Sequence, residues 1–579
     1  MARRRFQIAL IKPSHYDDDG YVIQWRRTFI PSNSLASVHA LIVDCAEERV
    51  LGPEVDIAVD GYDECNIVID VKRIARSIRQ AGSGFVGLVG VQSNQYPRAL
   101  DLARRFRAAG VTVVLGGFHV GGSLSMLPEM PPELKQALDL GVILFAGEAE
   151  GRMAELLRRI DAGTTQPIYN YLNDLPGLDG AVVPLLPKRT VARVVGHYTS
   201  FDAGRGCPFQ CSFCTIINVQ GRKSRFRTAD DIEAIVRANA AQGVNHFFVT
   251  DDNFARNKNW EAILDRLIEL RAGGSKIRLI MQVDTLCHKT PGFIEKAARA
   301  GCNSVFIGLE NINPESLAGA KKRQNKIWEY REMLQAWRRQ GVMTWAGYIL
   351  GFPTDTAESI ARDIETIKRE LPIDILEFFY LTPLPGSEDH KRLHLQGVAM
   401  DPDLNKYDLE HNTTAHSTMS PAAWQQVYRD AWRRYYTDEH VETILRRGVV
   451  DRLNTEKLAY MLAVFAGSLA IEGVHPLQFG FGRRKRRRDR RHGLPRESWW
   501  RFYPRRAAEF GVAHAAWLRL VWRYQRLRRL AAADPNAKRY LDEALSGGTG
   551  ADDALPNFVH AFSDKIPHTY GAPTRAAAQ

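Results

Sequence analysis

Over the first 160 or so residues, short apolar runs alternate with stretches whose apolar positions recur every three to four residues. The runs at 6–12, 55–59, 85–91, 111–115 and 142–145 have strand length and continuous apolar character, which predicts strands buried on both faces. Between them, 34–49, the series Ile69, Val71, Ile74 and Ile78, 97–109 and 149–160 keep a helical period, with Ser34 the expected cap of the first. Five such units predict a doubly wound, flavodoxin-like (Rossmann-like) α/β domain over 1–165, which takes ligands beyond the carboxyl ends of its strands.

Four prolines, Pro167, Pro176, Pro184 and Pro187, fall in a stretch of poor periodicity, so 166–196 reads as a connecting segment. A second alternation follows, with strands expected at 197–203, 246–250, 277–283, 304–309, 344–350 and 375–381. Helices are expected at 229–242, 260–271, 291–300, 328–340 and 357–370. Six β/α repeats are two short of a closed barrel, so 197–400 reads as a partial (β/α)6 barrel. Residues 401–475 read as a helical extension and 476–579 as a basic, Trp/Arg-rich tail.

Charge sharpens that last division. The chain of 579 residues carries a net charge of +12. Lysine plus arginine and aspartate plus glutamate balance at 51 each over 1–430, against 27 and 15 over 431–579. The peak is RRKRRRDRR, Arg483 to Arg491, followed by a helix that mixes Trp517, Leu518, Val521 and Trp522 with arginines. Three readings stand side by side: a solvated arginine run, a peripheral contact with anionic lipid, and a nucleic-acid patch, the last the least favoured because a Trp-rich helix calls for an apolar phase. Seven cysteines are too few and odd in number for a disulfide framework. The six-residue apolar stretch before Lys12 is too short for a signal-peptide core. The longest apolar run, 458–471, has 14 residues where a bilayer span needs about 20. A cytoplasmic protein is expected.

The sharpest chemical signal is Gly204-Arg205-Gly206-Cys207-Pro-Phe-Gln-Cys211-Ser-Phe213-Cys214, directly after the first barrel strand. Thiolates suit iron–sulfur clusters and zinc, but no fourth cysteine or histidine lies near in the sequence. Three ligands leave one iron of a [4Fe-4S] cluster open. Cys45, Cys65, Cys287 and Cys302 read as buried thiols.

C-x3-C-x2-C with an aromatic before the last cysteine, opening a partial barrel, resembles the radical S-adenosylmethionine (radical SAM) enzymes. The resemblance implies that Cys207, Cys211 and Cys214 hold the cluster, whose free iron binds S-adenosylmethionine, and that an electron donor of flavodoxin or ferredoxin type serves it. It further implies cofactor contacts from Asp251 and Asp252 after the second strand, Gln282 after the third, Glu310 after the fourth, and Gly347 and Gly351 of a G-x-I-x-G element after the fifth. The family often has Glu three residues beyond that last glycine; here it is Thr354. The alternative reading of Asp251 and Asp252 is a helix N-cap and a solvated acid.

A flavodoxin-like domain before such a barrel is similar to the cobalamin-binding subclass, which includes class B methyltransferases and an anaerobic oxidative cyclase. The residues that carry this are IKPS at 11–14, VQSN at 91–94, LGGFH at 115–119 and GEAEG at 147–151. They make Ser93, Gly116, Gly117, His119, Gly147 and Glu148 candidate cobalamin contacts. The D-x-H-x-x-G element that supplies a cobalt-binding histidine is absent, so His119 reads either as a ligand or as a locally packed residue. The resemblance implies methyl transfer to an unactivated carbon of a small molecule or lipid, through a 5′-deoxyadenosyl radical and methylcobalamin. Radical ring closure or rearrangement is the alternative, and a non-catalytic scaffold a third reading.

Overall fold

The structure is a computed structural model that describes residues 3–546. The N-terminal sheet is built from β1 (Arg4–Lys12), β2 (Val55–Asp63), β3 (Ser83–Leu88), β4 (Thr112–Gly116), β5 (Ile143–Ala146) and β6 (Ile168–Asn170). All pairings are parallel, in the order β2-β1-β3-β4-β5-β6. The order reverses between β1 and β3, which opens a crevice at their carboxyl ends and completes the flavodoxin-like pattern. Strand interiors such as Ile8, Phe85, Val113 and Leu144 are buried, as their continuous apolar runs required.

Three local readings change. The first helix, Asn33–Glu47, is capped by Ser32, whose side chain accepts from Leu35 N, and Ser34 lies inside it. The connecting segment contributes β6, too short to show a period. Helices Phe118–Met126 and Pro132–Asp139 form where glycine and proline obscured any periodicity.

The second sheet runs β7 (Tyr198–Phe201), β8 (His246–Val249), β9 (Arg278–Val283), β10 (Cys302–Glu310), β11 (Met343–Leu350) and β12 (Ile375–Tyr380). Neighbours pair in parallel and in sequence order, β7 and β12 being the two edges of an open barrel. At the β7 end, Asn33 Nδ2 donates to Asp202 Oδ1 at 3.0 Å and joins the two domains. The β12 side is covered by helix Pro421–Tyr435, where Tyr435 and Tyr436 hydroxyls donate to Ile373 O and Leu376 O.

Helix Thr455–Gly467 buries one face, Leu458, Leu462 and Phe465 among it, and packs beneath the long helix Trp499–Ala533; a Cβ at Gly467 would sit 2.6 Å from the Trp517 ring, so only glycine fits. The arginine run is not a loose tail. Gly480–Phe481 pairs antiparallel with Arg27–Thr28, and the run then lies against the N-terminal loop 17–25. Arg483 and Lys485 pair with Asp17 at 3.2 and 3.1 Å, Lys485 also with Asp19, and Arg491 with Asp403. Arg483 covers the Trp25 ring, and Lys485 and Arg490 the Tyr21 ring. The part of the predicted tail at 547–579 lies outside the described residues.

Candidate functional site

The three cysteines occupy the loop after β7, where the backbone is fixed before any ligand is considered. Gly204–Arg205 pairs antiparallel with Arg225–Phe226, and Ser212 N donates to Ala320 O at 3.0 Å. Gly206 has φ +88° and a Cβ there would meet Gly221 O at 2.8 Å, so the turn into Cys207 requires glycine. Cys211 is buried; Cys207 and Cys214 are half-buried. Burial pushes the Cys207 thiol up to about 11 and that of Cys214 up to about 12, with Asp252 adding to both. At neutral pH such thiols keep their protons, and a bound iron would be a Lewis acid able to displace them. Among the described residues, no three His, Cys, Asp or Glu side chains converge closely enough for a single metal ion.

Around this loop the carboxyl ends of the barrel strands present polar groups. Glu310 sits at φ +66° beyond a shift in the β10–β11 register, a combination that turns its side chain out of the ladder. It pairs with Lys322, a buried lysine whose charge also bears on Cys211 and Cys214. Gln324 Nε2 lies 3.5 Å from Cys211 Sγ. Lys322 and Gln324 were missed in the sequence, where they sit in an ordinary polar loop. Gln282 is half-buried at the end of β9, 3.4 Å from Asp251 O. Asp252 lies beside the Gly206 backbone, its charge bears on Cys207 and Cys214, and burial together with Asp251 raises its carboxyl to about 7.

Asp251 serves the loop's architecture: it accepts from Ala203 N at 2.6 Å and Asn257 Nδ2 at 3.2 Å, wholly within the protein. At Gly347 a Cβ would crowd Phe379 and Phe306 at 3.0 and 3.1 Å. Gly351, at φ +97°, gives way to Trp424, whose ring would stand 2.1 Å from a Cβ. Its glycine is therefore explained by packing. Gly351→Ala is expected to destabilise the fold by about 2–4 kcal/mol through overpacking and backbone strain, measured by urea unfolding. One residue beyond Thr354, Asp355 Oδ2 accepts from Gly351 N and Phe352 N, both at 2.9 Å.

In the N-terminal domain a cavity of about 190 Å³ runs from between the sheet and helices Asn33–Glu47 and Met153–Asp161 up to the carboxyl edge. Leu10, Val114 and Phe145 line its depth, Gly116, Gly117 and Gly147 its upper wall. Val219, Gln220 and Arg205 close it from the cysteine-loop side. Gly117 and Gly147 are needed for the chain's own approach, a Cβ meeting Val91 N at 2.1 Å and Tyr171 C at 2.9 Å. Two candidates do not reach this cavity. His119 is fully buried, its Nδ1 3.2 Å from Ser93 Oγ, its Nε2 3.5 Å from Glu133 Oε1, and its ring on Tyr96. Ser93 is consumed in that contact, so the pair packs locally.

Glu148 meets the cysteine loop directly. Arg205 Nη1 donates to Glu148 Oε2 at 2.7 Å, Nη2 to Glu150 Oε1 at 2.6 Å and Nε to Asp202 Oδ2 at 3.1 Å. Arg225 grips the other side of Glu148, and Arg227 lies 3.6 Å from Asp202. Three acids and three arginines balance in a buried clasp that ties GEAEG of the first domain to G-R-G-C of the second. Nothing in the spacing of Arg205 announced this.

Residues 202–367 match the family model of the radical SAM superfamily. The barrel is a radical SAM domain. Such a domain implies a [4Fe-4S] cluster and S-adenosylmethionine. The chain is 27% identical over 377 residues to the bacteriochlorophyllide d C-8(2)-methyltransferase of Chlorobaculum tepidum, covering 61% of this chain and 78% of that protein. Its fold resembles the radical S-adenosylmethionine methyltransferase TsrM of Kitasatospora setae, solved with cobalamin and a [4Fe-4S] cluster bound, at TM-score 0.55 and 16% identity over 79% of this chain and 99% of that one. The cobalamin-dependent S-adenosylmethionine radical enzyme OxsB, solved with aqua-cobalamin and S-adenosylmethionine, aligns at TM-score 0.52 and 13% identity over 96% of this chain and 84% of that one. At these identities the two likenesses are of fold. No helix among the described residues is long and apolar enough to cross a membrane.

Proposed function

We propose that this radical SAM protein is a cobalamin-dependent methyltransferase acting on an unactivated carbon of a small molecule or lipid. The observation that carries the reading is the cavity at the carboxyl edge of the first domain, walled on one side by the cysteine loop of the second. A flat macrocycle bound above Gly116, Gly117 and Gly147 would lie next to whatever Cys207, Cys211 and Cys214 hold. When bound, cluster and S-adenosylmethionine supply hydrogen abstraction, and cobalamin supplies the methyl group. The chain's own part is to orient. Lys322 places a cation beside the thiols and fixes the Glu310 carboxylate, while the Arg205 clasp holds the loop against the cavity. The likeness to a methyltransferase of bacteriochlorophyllide supports methyl transfer over the alternative of ring closure.

The test is anaerobic protein prepared with cobalamin, reduced in the presence of S-adenosylmethionine and candidate substrates. Both 5′-deoxyadenosine and S-adenosylhomocysteine are expected; deoxyadenosine alone would overturn methyl transfer. Because the cavity wall includes no histidine and His119 points away from it, His119→Ala is expected to keep its cobalt, although the fold loses about 1–3 kcal/mol from the hydrogen bond and packing removed. Cobalt content and the electron paramagnetic resonance of the bound cobalt(II) check this, since a protein imidazole would leave a nitrogen splitting.

A further inference from the structure

The long helix Trp499–Ala533 has two unlike faces. Phe502, Tyr524 and Ala531 are buried on the inner one, with Phe502 against the Tyr21 ring and the Tyr524 hydroxyl donating to Tyr436 O. On the outer one, Trp500, Ala507, Gly511, Leu518 and Trp522 follow one another at steps of seven and four, a single line along the helix about 33 Å long. Trp500 is 80% exposed, Leu518 73% and Trp522 64%, with Val512 beside them. Exposed aromatic and aliphatic residues in such a line mark an interaction surface.

Arginines border the stripe on both sides. Arg501, Arg519 and Arg526 form one ridge; among the described residues none of the three pairs with a carboxylate, and Arg526 lies over the Trp522 ring. On the other flank Tyr503 and Phe510 edge an open groove that holds Arg484 and Arg486, next to Arg483, which is committed to Asp17. Arg484 is crowded there by Arg26, Arg193 and Arg486. The helix has a single acid, Glu509.

The occupant follows from charge and polarity together. A second copy docked face to face would set these arginine ridges against each other and desolvate them unpaired. A nucleic acid would satisfy the arginines but leave Leu518, Val512 and Trp522 against phosphates. The surface of an anionic bilayer accepts both, the stripe in the acyl boundary and the arginines among the phosphates.

We infer that the outer face of the helix Trp499–Ala533 seats this protein on an anionic phospholipid membrane, lying in the interface without crossing it. The test is sedimentation of the full chain with phosphatidylcholine vesicles, with and without phosphatidylglycerol. Binding is expected only with phosphatidylglycerol and is expected to weaken at high salt. Arg519→Gln and Arg526→Gln are each expected to lower the partition coefficient about fivefold. Trp500→Ser with Trp522→Ser is expected to lower it further and to abolish the blue shift of tryptophan fluorescence on binding. These positions are exposed, so circular dichroism should be unchanged. Absence of binding to phosphatidylglycerol vesicles, or equal binding by wild type and the variants, would overturn the inference. So would tighter binding to duplex DNA or RNA than to vesicles, or a concentration-dependent dimer that Leu518→Arg dissolves.

Discussion

Arg205→Ala is expected to lower stability by about 3–5 kcal/mol, far more than a surface ion pair would. The reason is what remains: Glu148, Glu150 and Asp202 are buried around the missing guanidinium, with only Arg225 and Arg227 left to compensate. Burial opposes ionisation of Glu150, but the charge of Arg205 outweighs it and holds the carboxyl below its usual range; Asp202 behaves likewise beside Arg205 and Arg227. Carboxyls depressed in the fold contribute stability that is complete above their unfolded pKa of about 4 and is lost as pH falls through the folded values. The deficit of Arg205→Ala is therefore expected to be largest near neutral pH and to shrink in acid. Urea midpoints of wild type and variant across that range check it. Adding Glu150→Gln to Arg205→Ala should recover part of the loss, since it removes an orphaned buried charge. A neutral effect at pH 7 would mean that water reaches the clasp.

The two parallel sheets were legible in the sequence because both are covered on each face, and buried strands between helices leave continuous apolar runs. The strand at 344–350 and the helix at 357–370 lie where the pattern puts them, to within a residue. What was lost depended on pairing without hydrophobic burial. β2 extends through Asp60-Gly61-Tyr62-Asp63 because β1 pairs with it as far as Lys12, not because those residues are apolar. The basic run offered the same kind of ambiguity. Its partners, Asp17 and Asp19, are more than four hundred residues away, so nothing local distinguished a strap from a solvated tail.

The site divided in the same way. The cysteine triplet was readable because its chemistry is written in consecutive residues. Glu310 was readable as a polar residue at a strand end, but its ion pair with Lys322 arises only when the following loop folds back. His119 was drawn toward the site by its place after two glycines, and the structure turns it onto Ser93 and Tyr96. Asp251 was read correctly as a strand-end acid, yet its acceptor sites are taken by Ala203 N and Asn257. Sequence position could show which edge a residue reaches, but not whether its polar atoms are already satisfied there.

Cys211→Ser is expected to abolish iron binding and reductive cleavage of S-adenosylmethionine together, while leaving the barrel folded. Cys211 is the buried member of the triplet, within reach of Gln324 and in the field of Lys322, whereas Cys207 and Cys214 remain half-buried. A serine hydroxyl stays protonated at neutral pH and is a hard donor, so it cannot replace a thiolate on iron. Loss of iron by itself would not distinguish a ligand from a residue needed for folding. The separation comes from Cys302→Ser and Cys287→Ser, which alter thiols buried in the barrel core, one beside Ser304 O at 3.3 Å and the other beside the Trp337 indole at 3.4 Å. Each buries a hydroxyl in place of a thiol and is expected to cost about 1–3 kcal/mol while keeping full iron content. The two measurements, iron per chain and the urea midpoint, should then separate: iron is lost at 211, whereas at 287 and 302 the midpoint falls by a comparable amount with iron intact. If iron instead followed stability across all three variants, the cluster would not be held by the loop after β7, and the assignment of Cys207 and Cys214 would fall with that of Cys211.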